Sequence, residues 1–345
     1  MRALRLMEWK QGPALEEVPD PEPGPGEVLI RIGGAGACHS DLHLMYEFDA
    51  GMLPWEPPFT LGHENAGWVE ALGPGVAHLE VGEAVAVYGP WGCGQCHRCA
   101  QGMENYCVHQ AEIPVMGGGL GADGGMAPLM LVPNARHLIS LGDLDPVDAA
   151  PLTDAGLTPY HAIKRSLHLL IPGSTAVVIG AGGLGHMAVQ ILCALTPAAI
   201  VAVDRSEDAL QLAQRVGAEH GVLFGSDAAA EIRDITGGAG ADVVLDLVGS
   251  DETLQLGAAV ARMLGHLTLV GLAGGSLAVS FFGLPYELSV ASTYWGSIPE
   301  LIEVIALARS GQIGAHVERF SLDEAAGAYE QMRAGILHGR AVIVP

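Results

Sequence analysis

Four cysteines crowd into one short stretch, Cys93-x2-Cys96-x2-Cys99-x7-Cys107, in a loop punctuated by Gly92 and Gly94. Thiolates at this spacing suit a tetrahedral Zn²⁺ with every position filled, a structural site that leaves no room for substrate. A ferredoxin-type iron–sulfur run would bring its fourth cysteine after three residues and follow it with proline. Here seven residues intervene and Val108 follows. Ligand-type residues also occur in Cys38-His39-Ser40-Asp41-Leu42-His43 and in Gly62-His63-Glu64. Each of these groups alone fits packed side chains as well as metal ligands.

A further constellation could hold a nucleotide. Val177-Val178-Ile179 runs into Gly180-Ala181-Gly182-Gly183-Leu184-Gly185, then into an apolar helix over His186–Leu195, and Asp204 closes the next apolar run. Strand, glycine turn, helix and acid is the order of a dinucleotide site. Gly180 permits the tight turn, Gly182 lets backbone N–H groups approach a pyrophosphate, and Gly185 packs helix on strand. The helix N-terminus at Gly183 and Leu184 adds partial positive charge. Asp204 would accept from the ribose hydroxyls and repel a 2′-phosphate, favouring NAD, although Arg205 beside it could hold a phosphate.

The elements that must position these residues fall into two textures. Up to residue 150 the chain is rich in Pro, Gly and short apolar runs: Val28–Ile32, Gly67–Leu72, Ala84–Tyr88 and Leu129–Val132 read as strands between turns. Beyond about residue 155, Ala176–Ile179, Ile200–Val203, Val222–Phe224, Val243–Leu247 and Leu267–Val270 read as buried strands. Helical patterns such as Glu207–Val216 and Glu252–Leu264 lie between several of them, the alternation of a parallel sheet with crossovers. The tail predicts helices at Ile298–Arg309 and Asp323–Met332 and a last strand at Ala341–Val344.

Length and charge narrow the function classes. At roughly 150 residues per domain, 345 residues predict two domains. The formal charge is −23, and it comes from scarce bases: only Lys10 and Lys164 are lysines. No basic footprint for nucleic acid or an anionic membrane is present. Six cysteines are too few for a disulfide scaffold of this size, which predicts a reduced, cytoplasmic setting. Met1–Lys10 lacks the apolar core of a signal peptide. Ser174–Val203 is uncharged, but its glycines and Pro197 read as strand–helix–strand rather than as a membrane span.

Taken together and in this order, Gly36–His43, Gly62-His63-Glu64, the four-cysteine lobe and the glycine fingerprint resemble the zinc-dependent medium-chain alcohol dehydrogenases along essentially the whole chain. Asp154, in Leu152-Thr153-Asp154-Ala155-Gly156, and Tyr294-Trp295 are similar to the bacterial NAD-dependent secondary-alcohol branch. The resemblance implies an α/β chain: a GroES-like β-rich catalytic domain over 1–154, completed by 292–345, and a Rossmann domain with a doubly wound parallel sheet over 155–291. It implies two zinc ions. Cys93, Cys96, Cys99 and Cys107 would hold the structural one. Cys38, His63 and Asp154 would hold the catalytic one, Asp154 standing where relatives often carry a second cysteine. That exchange keeps the formal ligand charge but swaps a soft thiolate for a harder oxygen; Asp154 could instead cap a helix. Glu64 is expected to approach the metal during ligand exchange, and Asp41 to accept from the other nitrogen of His63.

The implied chemistry is hydride transfer to NAD from an alkoxide held at zinc, interconverting alcohols with ketones or aldehydes. Ser40 would pass the proton through the nicotinamide ribose to His43, while His39 stands where many relatives place a pyrophosphate-binding arginine. Trp55, Leu120, Phe282, Tyr294 and Trp295 would wall an apolar pocket suited to hydrophobic secondary alcohols, with Gly117–Gly125 a flexible loop near its mouth. The expected partners are a small alcohol or ketone and further copies of the chain, as homodimer or homotetramer. Competing readings are a polyol or other zinc-dependent medium-chain dehydrogenase, a zinc-independent quinone reductase, and a catalytically vestigial nucleotide-binding protein.

Overall fold

A computed structural model describes all 345 residues, which form two compact units. The first comprises Met1–Leu157, Gly296–Gly311 and Ala315–Pro345; the second comprises Thr158–Trp295 and Gln312–Gly314.

In the first unit the apolar run at Val28 extends to Gly36 as one strand, pairing antiparallel with Glu64–Leu72 from Val28↔Leu72 to Gly36↔Glu64. That register sets Gly36 opposite Glu64. A Cβ at Gly36 would lie 2.0 Å from Glu64 Oε2, so only glycine leaves room for the carboxylate. The sheet is completed by Ala84–Val87 and Leu138–Ser140 beyond Glu64–Leu72, and by the C-terminal strand Arg340–Val344 on the other side. Arg340–Val344 runs antiparallel to Val28–Gly36 and parallel to Val317–Ser321. The end of the chain is therefore hydrogen-bonded to the strand that leads into Cys38.

The second unit is a six-stranded parallel sheet. Its order is His220–Leu223, Ala199–Asp204, Thr175–Ile179, Ala241–Asp246, Ala261–Leu269 and Ser289–Ser292. Side chains from Ala176 to Ile179 and from Ile200 to Val203 are all buried, as expected for strands covered on both faces. The order reverses between Thr175–Ile179 and Ala241–Asp246, the switch point at which such sheets take ligands. Ser174–Val203 resolves into strand, eleven-residue helix and strand, and no helix is long and apolar enough to cross a membrane.

The helix expected over Glu252–Leu264 ends at Val260 instead. Ala261 turns extended (φ −65°, ψ 146°), pairs with Ala241, and is followed by Arg262, whose Nε donates to Asp242 Oδ1 at 2.6 Å. Helical periodicity in the sequence carries no sign of that partner strand.

Candidate active site

The strand Val28–Gly36 ends two residues before Cys38, which caps the helix His39–Tyr46. Asp41, at the third helical position, accepts from the Cys38 N–H at 2.9 Å, closing a capping box. Its other oxygen, Oδ1, lies 3.0 Å from His63 Nδ1. One buried carboxylate thus fixes the Cys38 backbone and the His63 ring together. Burial opposes ionisation of Asp41, but His63, the Cys38 N–H and Tyr329 outweigh it and hold the carboxyl below its ordinary range.

His63 is held from behind by the glycine run. Gly124 N–H donates to Thr60 O (2.8 Å), Gly125 N–H to Gly62 O (3.0 Å) and Met126 N–H to Leu61 O (2.9 Å). A Cβ at Gly119 or Gly124 would come within 2.5 or 2.2 Å of Gly62 O. The run expected to be a flexible loop is instead a packed cradle, glycine-rich because the chain before His63 leaves no room for side chains.

Cys38 Sγ, a ring nitrogen of His63 and an oxygen each of Glu64 and Asp154 all lie within 4.8 Å of one another. Cys38 Sγ stands 3.8 Å from Asp154 Oδ2, and His63 Nε2 stands 3.7 Å from the same oxygen. Ligands about 2.0–2.3 Å from a tetrahedral zinc are separated by about 3.3–3.8 Å, so this donor set fits the ion. Asp154 ends a short 3₁₀ turn, Ala150–Thr153, with its carboxylate directed at Cys38 and His63. Glu64 is engaged elsewhere: both its oxygens accept from Arg340, through Nε at 2.9 Å and through Nη2. Burial pushes the Glu64 carboxyl up to about 7 against the pull of this guanidinium. Arg340 Nη2 also lies 4.0 Å from Asp154 Oδ2, so one buried cation faces two carboxylates.

The four-cysteine lobe has the geometry of a closed site. Sγ separations of 3.4 Å (Cys96–Cys99) and 3.9 Å (Cys93–Cys99) are too long for a disulfide and close to the edge of about 3.8 Å of a ZnS₄ tetrahedron. Backbone N–H groups of Cys93, Cys96 and Cys99 donate to Sγ of Cys107, Cys93 and Cys96, each at 3.4 Å. Glu104, 1% exposed, ties the lobe down: it accepts from Gly92 N–H (2.7 Å), Arg136 Nε (2.7 Å) and His137 Nε2 (3.1 Å). His137 stacks on Trp91 at 5.6 Å.

In the second unit, Gly180 takes φ +91° and its N–H donates to Val203 O, turning the chain tightly. A Cβ at Gly185 would lie 2.0 Å from Gly180 O, whereas one at Gly182 would meet nothing within 4 Å. Gly185 is packing; Gly182 is open space on the helix approach. Asp204 accepts from Ala181 N–H through Oδ2 (2.7 Å) and from Ser206 N–H through Oδ1 (2.9 Å), which joins the acid to the glycine turn. Arg205 lies over the Phe224 ring at 5.1 Å.

Ser40 Oγ is 3.2 Å from His63 Nε2, beside the metal-ligand cluster. His43 Nδ1 pairs with Glu47 at 2.7 Å, and the exposed His39 ring lies 6.5 Å from that of His43. Trp55 and Leu120 are buried in the first unit, with Trp55 against Gly121. Tyr294 and Trp295 meet edge-on in the second, and Phe282, 87% exposed, packs edge-on against Phe281.

Residues 24–143 match the alcohol dehydrogenase GroES-like domain and residues 183–310 match the zinc-binding dehydrogenase model. The chain belongs to the zinc-binding alcohol dehydrogenase family. It is 38% identical to an NAD-dependent alcohol dehydrogenase of Sulfurisphaera tokodaii, over 100% of both chains. It is 36% identical to a D-arabinose 1-dehydrogenase (NADP(+)) of Saccharolobus solfataricus, over 100% of this chain and 97% of that one. The crystal structure of the alcohol dehydrogenase from the archaeon Aeropyrum pernix superposes with a TM-score of 0.93 at 36% identity, covering 100% of both chains. The GroES-like and Rossmann architecture of the family is the fold found here. The bacterial affiliation expected from Asp154 and Tyr294-Trp295 is not supported, because these relatives are archaeal.

Sequence reading missed Arg340, Tyr329 and Glu104. Arg340 alone left a signal, a base heading an apolar strand in a chain with sixteen lysines and arginines.

Proposed function

We propose that this protein is an NAD-dependent alcohol dehydrogenase that interconverts hydrophobic secondary alcohols and their ketones, with two zinc ions per chain. The observation that carries the reading is the convergence of Cys38 Sγ and His63 Nε2 on Asp154 Oδ2, at 3.8 and 3.7 Å, beside the Ser40 hydroxyl. Zinc, when bound, supplies Lewis acidity that lowers the pKa of the alcohol, and the nicotinamide takes the hydride.

The chain's own residues do the rest. Cys38, His63 and Asp154 hold the metal, and Asp41 keeps the His63 proton on Nδ1, freeing the lone pair of Nε2. Ser40 Oγ would accept the proton of the substrate hydroxyl as it passes its own on, and His43, paired with Glu47, would lie at the outer end of that relay. Arg340 engages both Glu64 oxygens, so Glu64 would stand beside the metal without holding it. Cys93, Cys96, Cys99 and Cys107 hold the second zinc and do no chemistry. Gly180, Gly182, Gly183, Leu184 and Gly185 receive the pyrophosphate, and Asp204 selects NAD. Trp55 and Leu120, buried in the first unit, supply apolar walls. In this reading 155–291 is the NAD-binding domain, and 1–154 with 292–345 is the catalytic one.

The enzyme is proposed to act in the cytoplasm, in keeping with six free cysteines, and as a homodimer or homotetramer. The strand Ser289–Ser292 supports assembly, since it ends the sheet with its outer edge unpaired and Val290 41% exposed.

A second reading, sugar or polyol oxidation with NADP, is favoured by the 36% identity to the D-arabinose 1-dehydrogenase. Metal analysis joined to a screen of alcohols and sugars with NAD and NADP separates the two. Two zincs, NAD-linked turnover of secondary alcohols and loss of both one zinc and turnover in Asp154→Ala are expected. Faster turnover of aldoses or polyols, or an Asp154→Ala variant with full activity and two zincs, would overturn the proposal.

A further inference from the structure

The contact between His63 and Asp41 does not end at the carboxylate. Helix Ala325–Ala334, near the C-terminus, buries Tyr329 to 2% exposure, and its Oη donates to Asp41 Oδ2 at 2.7 Å. The other neighbour of this hydroxyl is Met126 Sδ at 3.4 Å, a weak acceptor. Asp41 itself is 0% exposed. Its three polar neighbours are the Cys38 N–H, the His63 ring and Tyr329. Two belong to the segments that carry the metal ligands. The third arrives from 288 residues away.

Without Tyr329 the Cys38 N–H would be the only donor left on Asp41 Oδ2, and a buried carboxylate short of a donor turns towards others. That turn would move the acceptor that faces His63 Nδ1, and with it the tautomer and tilt of the ring. We propose that Tyr329 is a positioning residue for the metal centre. Its hydroxyl clamps Asp41 so that His63 keeps its proton on Nδ1 and turns Nε2 towards Cys38 and Asp154. Metal binding and docking of the C-terminal helix are then linked, each strengthening the other by the same factor. The inference rests on the reading of Cys38, His63 and Asp154 as a metal site.

The test compares the full-length wild type with Tyr329→Phe, which keeps the ring and deletes only the hydroxyl. Zinc content and chelator competition with Zn²⁺ alone are measured for both sites, and thermal melting with and without the zinc bound by His63. Wild type should hold two zincs. In Y329F the zinc at Cys38, His63 and Asp154 should bind roughly 10- to 100-fold more weakly, the range found for groups that orient a metal-bound histidine. The four-cysteine zinc should be unmoved, and the rise in Tm that the first zinc confers should shrink. Equal affinities in the two proteins, or a fall in Tm that is the same with and without that zinc, would reduce Tyr329 to a packing residue and overturn the proposal. A wild type that binds zinc only at its cysteines overturns the metal reading itself, and is recognised before the variant is compared. A measurement on the wild type alone guards against a variant that does not fold. Removing the His63-bound zinc should speed amide exchange in Ala325–Ala334 by a similar factor, and unchanged exchange would count against the linkage.

Discussion

Replacing Glu104 by glutamine removes one charge and one acceptor atom from beneath the four-cysteine lobe while keeping the shape. Oε1 accepts from Arg136 Nε at 2.7 Å; Oε2 accepts from Gly92 N–H at 2.7 Å and His137 Nε2 at 3.1 Å. A glutamine amide sets a donor against donors in either orientation. The less costly one keeps the Gly92 and His137 bonds and sacrifices the charged bond to Arg136. With about 1.5–3 kcal/mol for a hydrogen bond to a charged group, the lobe should lose about that much. That difference multiplies the population of the opened lobe by roughly 10- to 150-fold, at about 1.36 kcal/mol per tenfold. Zinc transfer from the cysteines to a colorimetric chelator at pH 7 should accelerate accordingly, while the zinc at His63 leaves at its wild-type rate. Acid supplies an independent check. Burial alone would raise the Glu104 carboxyl, but bonds from His137, Arg136 and Gly92 bring it down to about 2. A folded value below the unfolded one of about 4.3 means stabilisation is complete above the unfolded value and is lost as pH falls through the folded one. The stability gap between wild type and E104Q should therefore close between about pH 4.5 and pH 2, read by denaturant unfolding. Equal zinc-release rates, or a gap that stays constant down to pH 2, would refute this account of Glu104.

Two other outcomes follow from the geometry. Asp204→Ala removes the carboxylate from the end of Ala199–Asp204 and should narrow the preference for NAD over NADP by about 10-fold or more, on the scale of one charged hydrogen bond. The ratio of kcat/KM values for the two cofactors checks it, and a ratio unchanged by the substitution would remove Asp204 from cofactor selection. Gly124→Ala puts a Cβ 2.2 Å from Gly62 O, a backbone atom that can only give by moving His63. A cost of about 1–3 kcal/mol in thermal melting is expected, with zinc lost at His63 and retained at the cysteines.

Much of the fold was legible because its signals are local. The buried strands around the glycine turn are runs of Val, Ile, Leu and Ala, and their order with intervening helices specifies a parallel sheet. Local signals failed where a distant partner decided the conformation. Asp242 and the strand Ala241–Asp246 draw residues 261–264 out of the expected helix. Gly117–Gly125 looks flexible by composition, yet its glycines answer to the backbone of Leu61 and Gly62. In a sequence, glycine chosen for freedom and glycine chosen for lack of space are the same letter.

The chemistry divides in a similar way. Spacing and residue type alone pointed to four thiols in a short loop and to a glycine fingerprint with its acid, whereas Cys38 and His63 stood out as ligands only through the family resemblance. These are short-range facts, since metal ligands and phosphate cradles draw on loops whose geometry is set within a few residues. What the linear order could not carry is how the charges are balanced. Asp41 answers to Tyr329 across 288 residues and Glu64 to Arg340 across 276, because the C-terminal strand pairs with the strand leading into Cys38 and the helix Ala325–Ala334 brings Tyr329 to Asp41. Buried charge must be met by whatever group the fold brings within about 3 Å, and only the folded chain selects that group.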